Sequence, residues 1–255
     1  MALSDTATGA VAKSTPEYRF SPVYIIVAAL SLAVIITGYN VYQQVFGLSM
    51  GLDATSPEYQ TYWWNLLIIQ LPVIFTASLI CWGYLIATRV RDMASMTPAT
   101  ELKNLFYMAL WLLAYTIAVF PVGFMTEADA SWHQTVMRDS AFGPTHITLF
   151  YGIIPMYLFF GVGSFIYAMT RCPTFARGVS FMHVLAVIGP FLILVNVGFN
   201  EWGHAFWLTE EIFSHPLHWG FVVLGVTGLA LTGVAAQMTM RFRELFPQVF
   251  KGQTA

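Results

Sequence analysis

Apolar residues run along this chain in six long stretches, separated by short polar segments. The stretches span about 22–46, 64–88, 104–125, 145–170, 179–199 and 216–240. Each is about 20 residues or longer, the length an α-helix needs to cross a hydrocarbon layer about 30 Å thick. None shows the strict alternation of a half-buried strand. The pattern predicts an all-α, polytopic membrane protein with about six transmembrane helices. It divides the chain into an N-terminal tail (1–21), a helical bundle (22–243) and a C-terminal tail (244–255).

Composition agrees with that division. Of 255 residues, 57% are hydrophobic and 9% are charged, against about 25% charged in a soluble domain. So few charges cannot cover a water-facing surface, so the chain's main solvent is lipid. A formal net charge of −2 offers nothing that attracts nucleic acid. Cys81 and Cys172 are far apart and form no CxxC pair, so they read as small buried hydrophobes. The first apolar run begins too late for the core of a cleaved signal peptide, and the segment before it reads as a cytoplasmic tail.

Charge sorts the segments between the helices. Ten of the eleven basic residues lie on one side: Lys13, Arg19, Arg89, Arg91, Lys103, Arg171, Arg177, Arg241, Arg243 and Lys251. Arg138 is the exception. The positive-inside rule places both termini in the cytoplasm and the first, third and fifth loops outside. Eight of the thirteen acidic residues fall in those outer loops, including Glu127, Asp129, Asp139 and Glu201.

Five of the six histidines, His133, His146, His204, His215 and His218, fall near outer helix ends. Ionisable groups at membrane depth are costly and tend to face the bundle interior, where they have a function. Asp129 and His133 stand four residues apart, on one face of a helix that continues from the third span. After the Gly143-Pro144 turn the chain returns and presents His146 to the same region. A carboxylate and two imidazoles suit copper, zinc or iron, with positions open for water or substrate.

Asn200 and His204 repeat the four-residue spacing at the outer end of the fifth stretch, and His218 follows at the start of the sixth. This is a second candidate site, with asparagine a weak oxygen donor. Pro216 opens the sixth helix, which leaves His215 in the loop and His218 in the first turn. His183, alone near the inner end of the fifth stretch, reads as a packing residue. Trp132, Trp202, Trp207 and Trp219 suit a membrane interface. The chain carries no P-loop, Rossmann glycine pattern, nucleophile elbow or CxxCH, so an oxidase built from it takes its electrons from elsewhere. The outer acids also suit a cation transporter, but that reading calls for charges midway along the helices, where there are almost none.

The segment Thr126-Glu127-Ala128-Asp129-Ala130-Ser131-Trp132-His133, with Arg138-Asp139-Ser140 and Pro144-Thr145-His146, resembles the C subunit of the copper membrane monooxygenases. That family includes the particulate methane, ammonia and short-alkane monooxygenases. The similarity continues through Tyr167 to Arg171, Gly189 to Phe191, Asn196 to His204 and Pro216 to Phe221, and includes the earlier pieces Gln44 to Asp53 and Pro57 to Trp63. It covers nearly the whole chain beyond the N-tail.

The resemblance implies a metal, copper in most assignments, on Asp129, His133 and His146, with zinc as an alternative. It implies a neighbouring copper site on Asn200, His204 and His218. It also implies A and B subunit partners in a trimer of heterotrimers, a quinol electron donor, and residence in a bacterial inner or intracytoplasmic membrane. The implied reaction hydroxylates methane, a short alkane or ammonia with O2, and Asp129, His133 and His146 are the expected catalytic set. The rival reading is a non-catalytic scaffold or metal-delivery subunit of the same complex. The sequence departs from the family pattern at Ala128, where glutamine is usual, at Phe120 to Gly123, and at Ser214-His215. All six implied ligands are retained, so the departures bear on pocket shape and substrate.

Overall fold

The computed structural model describes residues 21, 23–119, 121–122, 125, 128–129, 131–132, 141–189 and 219–251. Helix α1 runs over Val23–Met50, α2 over Pro57–Ala87, α3 over Pro98–Val119 and α4 over Pro144–Arg171. Helix α5 covers Phe181–Ile188 and α6 covers Trp219–Val249. No strand occurs among the described residues. The chain is an all-α membrane protein: α2, α3 and α4 are each long and apolar enough to cross a bilayer. Helices α1 and α6 overlap the first and sixth predicted stretches, with α6 running nine residues beyond the end of the sixth, and α5 lies within the fifth.

Local chemistry explains where the helices begin. Pro57, Pro98 and Pro144 each open a helix, where the missing N–H costs nothing and the fixed φ is already helical. Ser56 caps α2 by accepting from the Tyr59 amide at 3.0 Å. The Thr97 hydroxyl accepts from the Thr100 amide at 3.3 Å at the head of α3. These caps start α2 and α3 several residues before the apolar runs that predict them. At the far end of the chain, α6 continues to Val249 with Leu245 buried.

Helices α3 and α4 form the centre of the bundle. Their axes approach closely because glycines face aromatic rings: a Cβ at Gly161 would stand 2.8 Å from Tyr115, and one at Gly163 would stand 2.5 Å from Trp111. Small residues permit such approach in membrane bundles, where lipid provides no hydrophobic drive for helices to associate. The Tyr115 hydroxyl donates to the Ala186 carbonyl at 2.5 Å and ties α3 to α5. Helix α6 packs on α5 and α3. The outer faces of α1 and α2 present Val27, Leu30, Val34, Ile69, Val73 and Ile80, a surface suited to hydrocarbon rather than water.

The two ends of the bundle differ in chemistry. At one end Arg171 donates to the Leu85 carbonyl at 3.0 Å and the Thr88 hydroxyl at 2.5 Å. Beside it Arg241 grips Glu101. The opposite end carries the N-terminus of α4, and with it His146.

Candidate metal centre

His146 lies in the first turn of α4, directly behind the Gly143-Pro144 start. That start is held from two sides. Tyr59 donates to the Phe142 carbonyl at 2.5 Å, and Pro144 rests on Gly51, where a Cβ would collide with Pro144 Cγ and the Gly47 carbonyl. Asp129 is helical and reaches α4 from beyond the end of α3. Its Oδ1 stands 3.3 Å from His146 Nε2 and accepts a hydrogen bond from the Thr145 hydroxyl at 2.6 Å. Asp129 is 1% exposed and His146 is 8% exposed. The His146 ring meets the edge of Phe150 at 5.1 Å, and Ile147 and Leu149 are fully buried beside it.

Two of the six predicted ligands are therefore brought together. His133, Asn200, His204 and His218 lie outside the described residues, as do Arg138, Asp139, Glu201 and His215. Among the described residues no three His, Cys, Asp or Glu side chains gather closely enough to hold a metal.

The donor pair itself fits a metal. A carboxylate oxygen and an imidazole nitrogen bound to one tetrahedral ion, each about 2.0–2.1 Å from it, stand about 3.3 Å apart. Oδ1 and Nε2 have that separation. One oxygen and one nitrogen donor suit borderline divalent ions such as copper and zinc better than thiophilic ones. Thr145, which motif reading passed over, fixes the carboxylate rotamer in the manner of outer-shell partners at metal sites. Its signal in the sequence was adjacency to His146 at a helix start.

The comparison with known families decides the identity. The family model for the C subunit of ammonia monooxygenase/methane monooxygenase matches residues 5–249. The chain belongs to that family. No curated protein matches it. As a member of that family it is one part of a membrane monooxygenase complex.

Among the described residues, His183, Cys81, Cys172 and Trp132 pack within the bundle. His183 Nε2 lies 2.9 Å from the Ser164 hydroxyl, which in turn donates to the Gly161 carbonyl at 2.7 Å. With the single serine proton directed to that carbonyl, Nε2 is the donor to Ser164 Oγ. Phe165 and Phe175 stand edge-on around the ring. Cys81 and Cys172 are free thiols. Burial, followed by the nearby Glu101, pushes the Cys172 thiol up to about 12, which makes it an unreactive thiol. Trp132 is buried and packs over Gly47 of α1, at 3.6 Å from the position of a Cβ there. The bundle interior, rather than the lipid interface alone, accounts for this tryptophan.

Proposed function

We propose that this protein holds a copper centre on Asp129, His133 and His146 and contributes it to the oxygenation of a small substrate by O2. One observation carries the reading: an acid and an imidazole, both withdrawn from water, meet at 3.3 Å inside an apolar bundle. Burying a carboxylate is expensive unless a cation or strong donors compensate it, and divalent copper outranks zinc at mixed nitrogen and oxygen donors. Asn200, His204 and His218 form the neighbouring site of the same proposal.

Bound copper would supply the redox chemistry that places one atom of O2 in methane, a short alkane or ammonia and releases the other as water, with two electrons and two protons from a quinol. The chain's own residues prepare the setting. Asp129 and His146 offer their lone pairs to one point. Thr145 holds Oδ1 in place with its hydroxyl. Val122, Met125, Ile147 and Leu149, all buried, keep water from the interior and leave an apolar approach for substrates that partition into lipid. The assembly proposed is a trimer of heterotrimers with A and B subunits in a bacterial inner or intracytoplasmic membrane. Six spans and cytoplasmic termini are the topology proposed for this chain.

Substitution of the ligands tests the assignment. His146→Ala or His133→Ala in the assembled complex is expected to remove the metal and reduce turnover by more than about 100-fold, a loss of roughly 2.7 kcal/mol of transition-state stabilisation. Turnover that survives in assembled complexes lacking that metal would return the protein to a scaffold or delivery role. Oxygen uptake by membranes supplied in turn with ammonia, methane and butane identifies the substrate.

A further inference from the structure

Helix α4 changes its winding immediately after His146. Residues Leu149–Ile153 form a π-turn, in which the Ile154 amide reaches back five residues to the Leu149 carbonyl. Pro155 explains the change. In a regular α-helix its ring would clash with the Tyr151 carbonyl and offer it no N–H, and a widened turn relieves both problems. Where hydrogen bonding passes from four-residue to five-residue spacing, carbonyl partners are exchanged. His146 lies in the turn that immediately precedes this change.

Two neighbouring helices grip the turn. From α2, the Gln70 side-chain amide donates to the Ile147 carbonyl at 2.8 Å. From α1, the Tyr39 hydroxyl donates to Gln70 Oε1 at 2.7 Å. The Tyr39 ring also lies on Gly152 within the π-turn, where a Cβ would stand 3.0 Å from Tyr39 Cζ. Thr148 donates to Gln43 of α1 as well. Gln70 is 6% exposed and is the one amide side chain between Leu66 and Thr88, a run otherwise mostly apolar.

We propose that Gln70 is a positioning residue for His146, acting through the Ile147 carbonyl and itself oriented by Tyr39. The proposal rests on the reading that Asp129 and His146 hold a metal. In a dry interior a carbonyl deprived of its donor finds no water to replace it, so the α4 turn relaxes toward another register. His146 then shifts relative to Asp129, and the metal-binding pair loses its preorganisation. The effect corresponds to loss of an outer-shell partner, about tenfold or more in metal affinity.

The test uses the intact complex in isolated membranes, depleted of metal and titrated with Cu(II) while the electron paramagnetic resonance spectrum is recorded. Gln70→Met keeps the volume and removes both hydrogen bonds. It is expected to weaken Cu(II) binding by about tenfold and to alter the hyperfine pattern. Tyr39→Phe is expected to shift both in the same direction by less. Ser78→Ala removes a buried hydroxyl on the same helix that bonds only its own backbone, at the Ile74 carbonyl, and is expected to change neither. Wild-type affinity and spectrum in Gln70→Met, or an equal change in Ser78→Ala, would overturn the proposal. If Gln70→Met does not assemble, the same criterion applies to Tyr39→Phe. His146→Ala separates the two levels of argument. Cu(II) binding lost there but unchanged in Gln70→Met defeats the positioning role alone, whereas binding unchanged in both defeats the metal reading beneath it.

Discussion

Glu101 and Asp129 are both carboxylates withdrawn from water, at opposite ends of the bundle, and their surroundings differ in kind. Glu101 is 4% exposed. Arg241 meets it with two parallel bonds, Nε to Oε1 at 2.8 Å and Nη2 to Oε2 at 2.6 Å, and Thr174 adds a third at 3.1 Å. The guanidinium keeps its charge at any pH the protein meets, and the fork geometry satisfies both oxygens. That arrangement is a clasp between the start of α3 and the end of α6. Among the described residues, Asp129 meets an imidazole and a hydroxyl. An imidazole is a side chain that can also ligate a metal, which a guanidinium cannot do. Burial of a carboxylate therefore does not by itself mark a functional site. The nature of its partner separates a structural clasp from a candidate centre.

The sharpest way to break this contrast is at the clasp. Arg241→Met leaves Glu101 buried without its cation and is expected to destabilise the bundle by about 3 kcal/mol, the lower end for a broken buried pair because the Arg241 side chain is 28% exposed. Thermal unfolding in detergent checks the loss, and turnover per assembled complex should stay near wild type. The double variant Glu101→Leu with Arg241→Met should recover most of that stability, since an apolar pair replaces an ion pair at little net cost.

Gly51→Ala tests whether the other end is tuned as well as stable. Its methyl would press on Pro144 and the Gly47 carbonyl. Overpacking of this kind costs about 1–3 kcal/mol, and here the displaced turn carries His146. The expected outcome is a moderate fall in unfolding temperature together with reduced copper content, a combination that the clasp variants should not give.

Thr145→Val is the mildest change. It removes one hydrogen bond to Asp129 at nearly constant shape. About 1–2 kcal/mol of stability and about a tenfold loss of metal affinity are expected. Wild-type copper affinity in this variant would make Thr145 a structural neighbour only.

Much of the architecture was legible because lipid imposes a length on every apolar run that crosses it. The runs at 64–88, 104–125 and 145–170 correspond to α2, α3 and α4. Their starts were less legible, because Ser56-Pro57 and Thr97-Pro98 form caps that draw polar residues into the helices ahead of the apolar stretch. Asp129 and His146 were candidates from residue type and neighbourhood. Thr145 and Gln70 were not. A threonine or glutamine in a membrane segment has many ordinary uses, and its role depends on what another helix places opposite it.

By itself the sequence determined that this protein lives in lipid, is helical, belongs with the monooxygenase C subunits and holds a small set of acids and histidines. Each of these follows from local composition, run length or motif, quantities that survive in an unfolded chain. Tertiary structure alone decided that Asp129 meets His146 across sixteen intervening residues, that Arg241 closes on Glu101, and that Gln70 steadies the turn behind His146. Those pairings depend on how helices cross and on where Gly51, Gly152, Gly161 and Gly163 let them approach. Approach distance is a property of two packed surfaces together, and neither surface encodes it alone.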